Sequence, residues 1–199
     1  NWRRFYAVIN AASVFMEKAP RTVELDRSYS EQNLKYDIAQ VRALRAFAYF
    51  YMVRIWGDVP LVTYSYDNGT FPSMPRTDAQ TVLSYAKAEL LTAIKDLPYQ
   101  YGTQTNLYYG SYGAQWQGKL FNKLSAYSVL AHICAWQGNY AEAETYSAFI
   151  IDHASEINAK YTSIADLTSE TGLFYSNASV KGSRILGFNF AHNDNEATQ

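Results

Sequence analysis

The chain has 199 residues, with 17 Lys+Arg against 18 Asp+Glu and a formal net charge of −1. That balance, without a basic stripe or an acidic tail, argues against a nucleic-acid footprint and points to no charged partner. A single cysteine, Cys134, excludes an internal disulfide framework and reads as a small buried hydrophobe among alanines.

Aromatic residues are abundant (18 Tyr, 10 Phe and 4 Trp) while only 18% of residues are charged. Tyrosine-rich, charge-poor surface suits carbohydrate or peptide recognition, because rigid rings offer contact area at low entropy cost together with a hydroxyl. Most of the tyrosines are nevertheless expected to pack the core. The chain opens without Met inside a helical pattern and reads as a piece of something longer, so the lack of a leader or lipidation site says nothing about location.

Five helical segments are predicted. Trp2, Phe5, Ile9, Ala12 and Met16 recur at helical spacing, and Pro20 closes that segment. Ser28 with Glu31 offers a capping box for a second helix reaching Trp56 and ended by Gly57. Its core, Ala43–Ile55, is nearly unbroken apolar and aromatic sequence, too short to span a bilayer and interrupted by Arg45 and Arg54. It is expected to be buried by other helices on most sides, with each guanidinium reaching water or a carboxylate.

Thr77 with Gln80 suggests a box for a third helix, whose stripe is Val82, Ala86, Leu90, Ala93 and Leu97, closed by Pro98. A fourth is expected over about Lys119–Gln137 with a small-residue face of Ser125, Ser128, Ala131 and Ala135. A fifth is expected over about Tyr140–Ala154, presenting Ala143, Ser147, Ile150 and Ala154. Gln137-Gly138-Asn139 joins these two: a left-handed glycine, then an Asn N-cap with Glu142 completing a box, so the pair must run antiparallel. Its Gly-x-Tyr-x-x-Ala pattern is similar to the turn of a tetratricopeptide repeat.

Two long aromatic connections, 57–76 and 98–118, interrupt the array and are expected to be functional rather than disordered. Ser183–Phe190 reads as a strand. The organisation predicted is a helical-pair scaffold over 1–154 with those two insertions, then an irregular segment over 155–199 that carries the strand and starts a further C-terminal part.

No catalytic constellation is found. Gly113–Leu120 fits a phosphate loop until its last position, where Leu120 cannot ligate magnesium, so Gly118-Lys119 is read as the start of the fourth helix. His132, His153 and His192 form no zinc motif. The run His192–Glu196 lacks the glycine and span of a calcium loop and reads as a solvated tail.

Three stretches resemble the SusD/RagB family of Bacteroidota glycan-uptake lipoproteins. Arg42-Ala43-Leu44-Arg45-Ala46-Phe47 through Arg54-Ile55-Trp56-Gly57-Asp58-Val59-Pro60-Leu61-Val62 matches its RALRA…GDVPLV signature. Pro75-Arg76-Thr77 leads to a helix ending Ala93-Ile94-Lys95-Asp96-Leu97-Pro98, and Gly118-Lys119 leads through a small-residue helix to Gly138-Asn139-Tyr140. Ile185–Phe190 fits the strand that follows in the family. Leu120-Phe121 and His132-Ile133-Cys134 depart from the family pattern, as does Ser183-Arg184.

The resemblance implies an all-α fold of tetratricopeptide-like antiparallel helix pairs with long aromatic loops and a short strand near the C-terminus. It implies a non-enzymatic protein at the outer-membrane cell surface, attached by a lipid anchor not present in this chain; no cofactor and no metal ligand is assigned. Its expected partners are a SusC-like TonB-dependent transporter and an oligosaccharide or peptide ligand. The ligand-binding residues expected are Trp116 and Tyr109 in the second loop and Asn189, His192 and Asn193 just past the strand. Two alternatives from other classes are a tetratricopeptide scaffold for a partner's peptide and an all-α glycosidase, which needs two carboxylates about 5–10 Å apart.

Overall fold

The computed structural model describes residues 2–66, 72–110 and 118–159, together with Ile164, Ile185 and Leu186. The described elements are α1 (Trp2–Lys18), α2 (Pro20–Leu25), α3 (Glu31–Trp56), α4 (Ala79–Ala93), α5 (Lys123–Trp136), α6 (Tyr140–Asp152) and a 3₁₀ turn over Ala154–Ile157. Pairing is antiparallel in succession. Trp2 meets Trp56 while Ser13 meets Arg45; Arg42 meets Glu89 while Val59 bridges Thr77; Tyr127 packs on both Tyr146 and Phe149. Val59 and Thr77 form an antiparallel β-bridge; the strand expected over Ser183–Phe190 lies outside the described residues apart from Ile185 and Leu186.

The apolar rod is interior, as expected. Phe50 and Met52 are buried and Phe47 is partly so; Ala43, Ala46, Tyr49 and Val53 fill the seam against Ile9 of α1, Leu83, Ala86 and Leu90 of α4, and Leu130 and Ile133 of α5. Both arginines behave as required. Arg45, only 5% exposed, is held by Glu89 Oε2 (2.5 Å), Ser13 Oγ (2.9 Å) and the Thr63 carbonyl (3.3 Å), while Arg42 takes Glu89 Oε1 at 2.7 Å. Arg54 is exposed and lies over the Phe50, Tyr51 and Trp136 rings.

The Gly57–Val62 segment has a physical reading at each position. Gly57, at φ +69°, ends α3 where a side chain would be strained. Asp58 Oδ1 accepts from the Ala79 N–H at the start of α4 (2.9 Å), and Val62 exchanges both its backbone bonds with the buried Tyr49 hydroxyl (2.8 Å each). The loop is thereby sewn to the helices on either side of it.

Several helix ends differ from the predicted ones. The α3 cap is Ser30, accepting from Asn33 N, because Ser28 is drawn into a turn with Asp26. Asp78 rather than Thr77 caps α4, since Thr77 is committed to the bridge with Val59. Pro20 opens the short α2 at its first position, where a missing N–H costs nothing. Helix α5 starts at Lys123, with Asn122 and Ser125 forming a full capping box; Gly118-Lys119 is a turn before it.

At the α5–α6 junction Gly138 has φ +79° and Asn139 caps α6, as predicted, but the box is half made. The Glu142 carboxylate is drawn instead to Lys87 of α4 (2.5 Å), Tyr146 (2.9 Å) and the Asn139 side chain (2.6 Å); Lys87 holds its carboxyl below the usual range. The buried face of α6 also differs from the predicted stripe. Ala143 is buried, yet Ser147 is exposed, because Tyr146, Phe149 and His153 supply the contacts instead. Cys134 is fully buried, and burial pushes its thiol upward.

Candidate ligand-binding surface

The first turns of α3 carry Asn33, Tyr36, Asp37 and Gln40, spaced so that all four share one face. A polar face on a helix otherwise packed in apolar core needs partners, and the 98–110 loop supplies them. Gln40 bonds both backbone groups of Phe121 (2.9 Å each) and the Tyr101 hydroxyl. Tyr36 donates to Asn106 Oδ1 at 2.9 Å. Asp37 accepts from three phenols: Tyr29 (2.7 Å), Tyr109 (2.5 Å) and Tyr108.

Burial and the adjacent Asp37 carboxylate push the Tyr109 hydroxyl up to about 12, and Tyr29 and Tyr108 rise further for the same two reasons, burial first. All three therefore remain protonated donors across the neutral range, and the carboxylate holds their rings in place. Tyr109 has φ +50°, in the left-handed region that a side-chain-bearing residue rarely enters, and its N–H donates to Asn33 Oδ1 at 3.2 Å. The surrounding bonds over-determine that conformation.

What this produces is an exposed aromatic edge. Tyr109 is 53% exposed and stacks beside Tyr29, with ring centroids 6.3 Å apart and planes 29° apart. The pair borders a hollow of about 590 Å³, walled by Ala11, Val14 and Phe15 of α1 and Thr22 of α2.

A second hollow of about 870 Å³ lies against the N-terminal half of α1, between Trp2, Arg3 and Tyr6 on one side and Tyr66, Pro72, Met74 and Arg76 on the other. Its walls are fastened. Asn10 bonds both the N–H (2.7 Å) and the carbonyl (3.0 Å) of Tyr66, and the Tyr6 hydroxyl donates to the Pro60 carbonyl at 2.7 Å. Burial pushes the Tyr6 hydroxyl up to about 12 against the pull of Arg76. Arg76 lies over the Trp2 ring at 5.7 Å, and Trp2 meets Trp56 edge-on. The two hollows adjoin along α1: Ala7 and Asn10 line one, Ala11 and Val14, one turn further on, line the other.

Of the residues predicted to bind ligand, Tyr109 sits at this surface; Trp116, Asn189, His192 and Asn193 lie outside the described residues. Sequence reasoning missed Tyr29, Asp37, Trp2, Arg3, Tyr66 and Arg76. The i, i+3, i+4, i+7 polar set on α3 was the available signal for the Tyr109 platform, since a buried carboxylate there demanded donors from elsewhere. The second hollow had no local signal, because it joins residues about 60 positions apart.

No protein-family model matches the chain. A SusD-like protein, P38, from Formosa agariphila is 31% identical over 147 residues, which is 72% of this chain and 24% of the relative. A crystal structure of a SusD superfamily protein from Bacteroides thetaiotaomicron aligns with TM-score 0.88 and 99% identity, over 96% of this chain and 42% of that one. A laminarin-binding SusD-like protein aligns with TM-score 0.60 and 25% identity, over 82% of this chain and 31% of that one. The chain thus spans less than half the length of each of these three proteins.

Proposed function

The chain belongs to the SusD family, and from that premise we propose that it serves as the helical part of a surface glycan-binding protein. That protein captures an oligosaccharide without cleaving it and passes it to a TonB-dependent transporter of the outer membrane, to which it stays close through a lipid anchor. The observation that carries this reading is the Tyr29–Tyr109 edge, rings fixed beforehand by Asp37, with Tyr109 open to solvent and Tyr29 half-buried beside a hollow. A pyranose presents an apolar face that packs on such a ring, and a ring already held costs little entropy on binding. That one matched structure is of a laminarin-binding protein supports a carbohydrate ligand.

Binding rather than hydrolysis is favoured by what the hollows are made of. Glycoside hydrolysis needs a pair of carboxylates roughly 5–9.5 Å apart across the bond. The described lining of both hollows is phenol, indole, amide, hydroxyl, guanidinium, ammonium and alkyl, and Asp37 spends its oxygens on tyrosines.

Isothermal titration of the full-length protein against an oligosaccharide panel tests the reading, with heat expected from at least one glycan and an affinity loss of about ten-fold or more for Tyr109→Ala. Absence of heat with every glycan would overturn it. Steady release of reducing sugar would overturn the non-catalytic part, and failure to co-purify with an outer-membrane transporter would overturn the delivery part.

A further inference from the structure

We propose that the wider hollow selects a glycan bearing an oxyanion on the sugar ring, a uronic-acid carboxylate or a sulfate ester, received by Arg3 and Arg76. This rests on the glycan-binding reading and narrows it to a substrate class.

The argument begins with which polar groups in the hollow are already spent. The neutral groups best suited to sugar hydroxyls are the Asn10 amide and the Tyr6 hydroxyl. Asn10 uses both ends of its amide on the Tyr66 backbone, and Tyr6 donates to the Pro60 carbonyl. The two guanidiniums are in a different position. Arg42 and Arg45 are paired with Glu89 and Lys87 with Glu142, whereas Arg3 and Arg76 are exposed at the rim of the hollow. Among the described residues Arg3 and Arg76 have no such ion pair, and none of the described residues lining the hollow is acidic. In a chain whose formal net charge is −1, this is a local placement of positive charge rather than a general excess.

The geometry suits an anion on a ring. The Arg76 guanidinium carbon lies 5.7 Å from the centre of the Trp2 ring, and a guanidinium can bind a carboxylate or sulfate in bidentate fashion. The remaining walls, Ala7, Pro60, Pro72 and Met74 with the Trp2 and Tyr66 rings, are apolar surfaces of the kind that the face of a pyranose covers.

The test is titration of the full-length protein with three tetrasaccharides: tetragalacturonic acid, a sulfated carrageenan tetrasaccharide that lacks carboxylates, and neutral maltotetraose. At least one of the two anionic ligands is expected to bind about ten-fold tighter than maltotetraose. That affinity should weaken as NaCl rises from about 50 to about 500 mM. Arg3→Gln and Arg76→Gln should each cost about five-fold or more for the anionic ligand, with the same far-ultraviolet dichroism as the parent. Which anionic arm binds tells carboxylate from sulfate. Maltotetraose binding as tightly as the tighter of the two anions, or both variants retaining full affinity, would overturn the inference and leave the glycan-binding reading intact. No heat from any of the three would overturn the inference as well, and the wider panel then decides the reading beneath it.

Discussion

The two halves of α3 are both buried, yet they are held by different means. From Ala43 to Val53, the directed bonds of Arg45 and Tyr49 apart, the helix is held by close apolar contact with α1, α4 and α5, which is non-directional and tolerates rotation of a ring or a methyl group. From Asn33 to Gln40 it is held by directed bonds to the 98–110 loop and Phe121. The first half makes the scaffold stable; the second sets the position of a few rings to within a hydrogen-bond length. A ligand surface needs the second kind of fastening, and here it lies on the continuation of the core rod, so its base is rigid.

The contrast is broken most severely where the halves meet. Glu89→Ala would strand Arg45 and Arg42 beside each other with Arg45 buried, at a cost of about 3–5 kcal/mol. Urea denaturation of the full-length protein should show it as a large loss in midpoint. A midpoint within experimental error of the parent would mean that the junction is wet. Next comes Met52→Ala in the apolar half, a fully buried side chain whose removal should cost about 2–5 kcal/mol in the same measurement while leaving glycan affinity nearly unchanged.

Asp37→Asn in the directed half should do the reverse. A neutral amide accepts more weakly from three phenols and introduces two N–H donors among them. The expected stability loss is about 1–3 kcal/mol, and affinity should fall along with it because Tyr109 and Tyr29 lose their common anchor. Equal losses of affinity for Met52→Ala and Asp37→Asn would erase the distinction between the two halves.

The smallest effect needs no mutation. Burial raises Tyr109 and Tyr85 to about 12 from an ordinary value near 10. Above pH 10 the unfolded phenols shed protons that the folded ones still hold, so the folded state is the more protonated and stability must fall with rising pH. The contribution is fully present below pH 10 and is lost between about pH 10 and 12. Denaturation midpoints that stay flat across that window, with tyrosinate absorbance appearing at ordinary pH, would contradict it.

Much of the scaffold was legible because its determinants are local. Helical spacing marked α1, the core of α3, and α4; Gly57 and Gly138 marked turns that only a left-handed residue makes comfortably; the arginines inside an apolar run announced a buried carboxylate without saying which. The caps were misplaced by one to four residues where two candidates competed. Ser28, Thr77 and Glu142 were each claimed by a partner that helix signals do not show: Asp26, Val59 and Lys87. The face of α6 was turned for a similar reason, since which residues face inward depended on Tyr127 of the neighbouring helix.

Composition and periodicity decided that this chain would be helical and rich in exposed and buried phenols. Which tyrosines became anchors and which became surface was a tertiary decision. Tyr101 and Tyr108 sank into the loop's own cluster while Tyr109, the next residue along, was turned outward by its positive φ. The physical reason is that a phenol serves a core or a ligand equally well, so its role is set by where a buried acceptor such as Asp37 happens to lie. That acceptor is 72 positions away in the chain and only a hydrogen-bond length away in space.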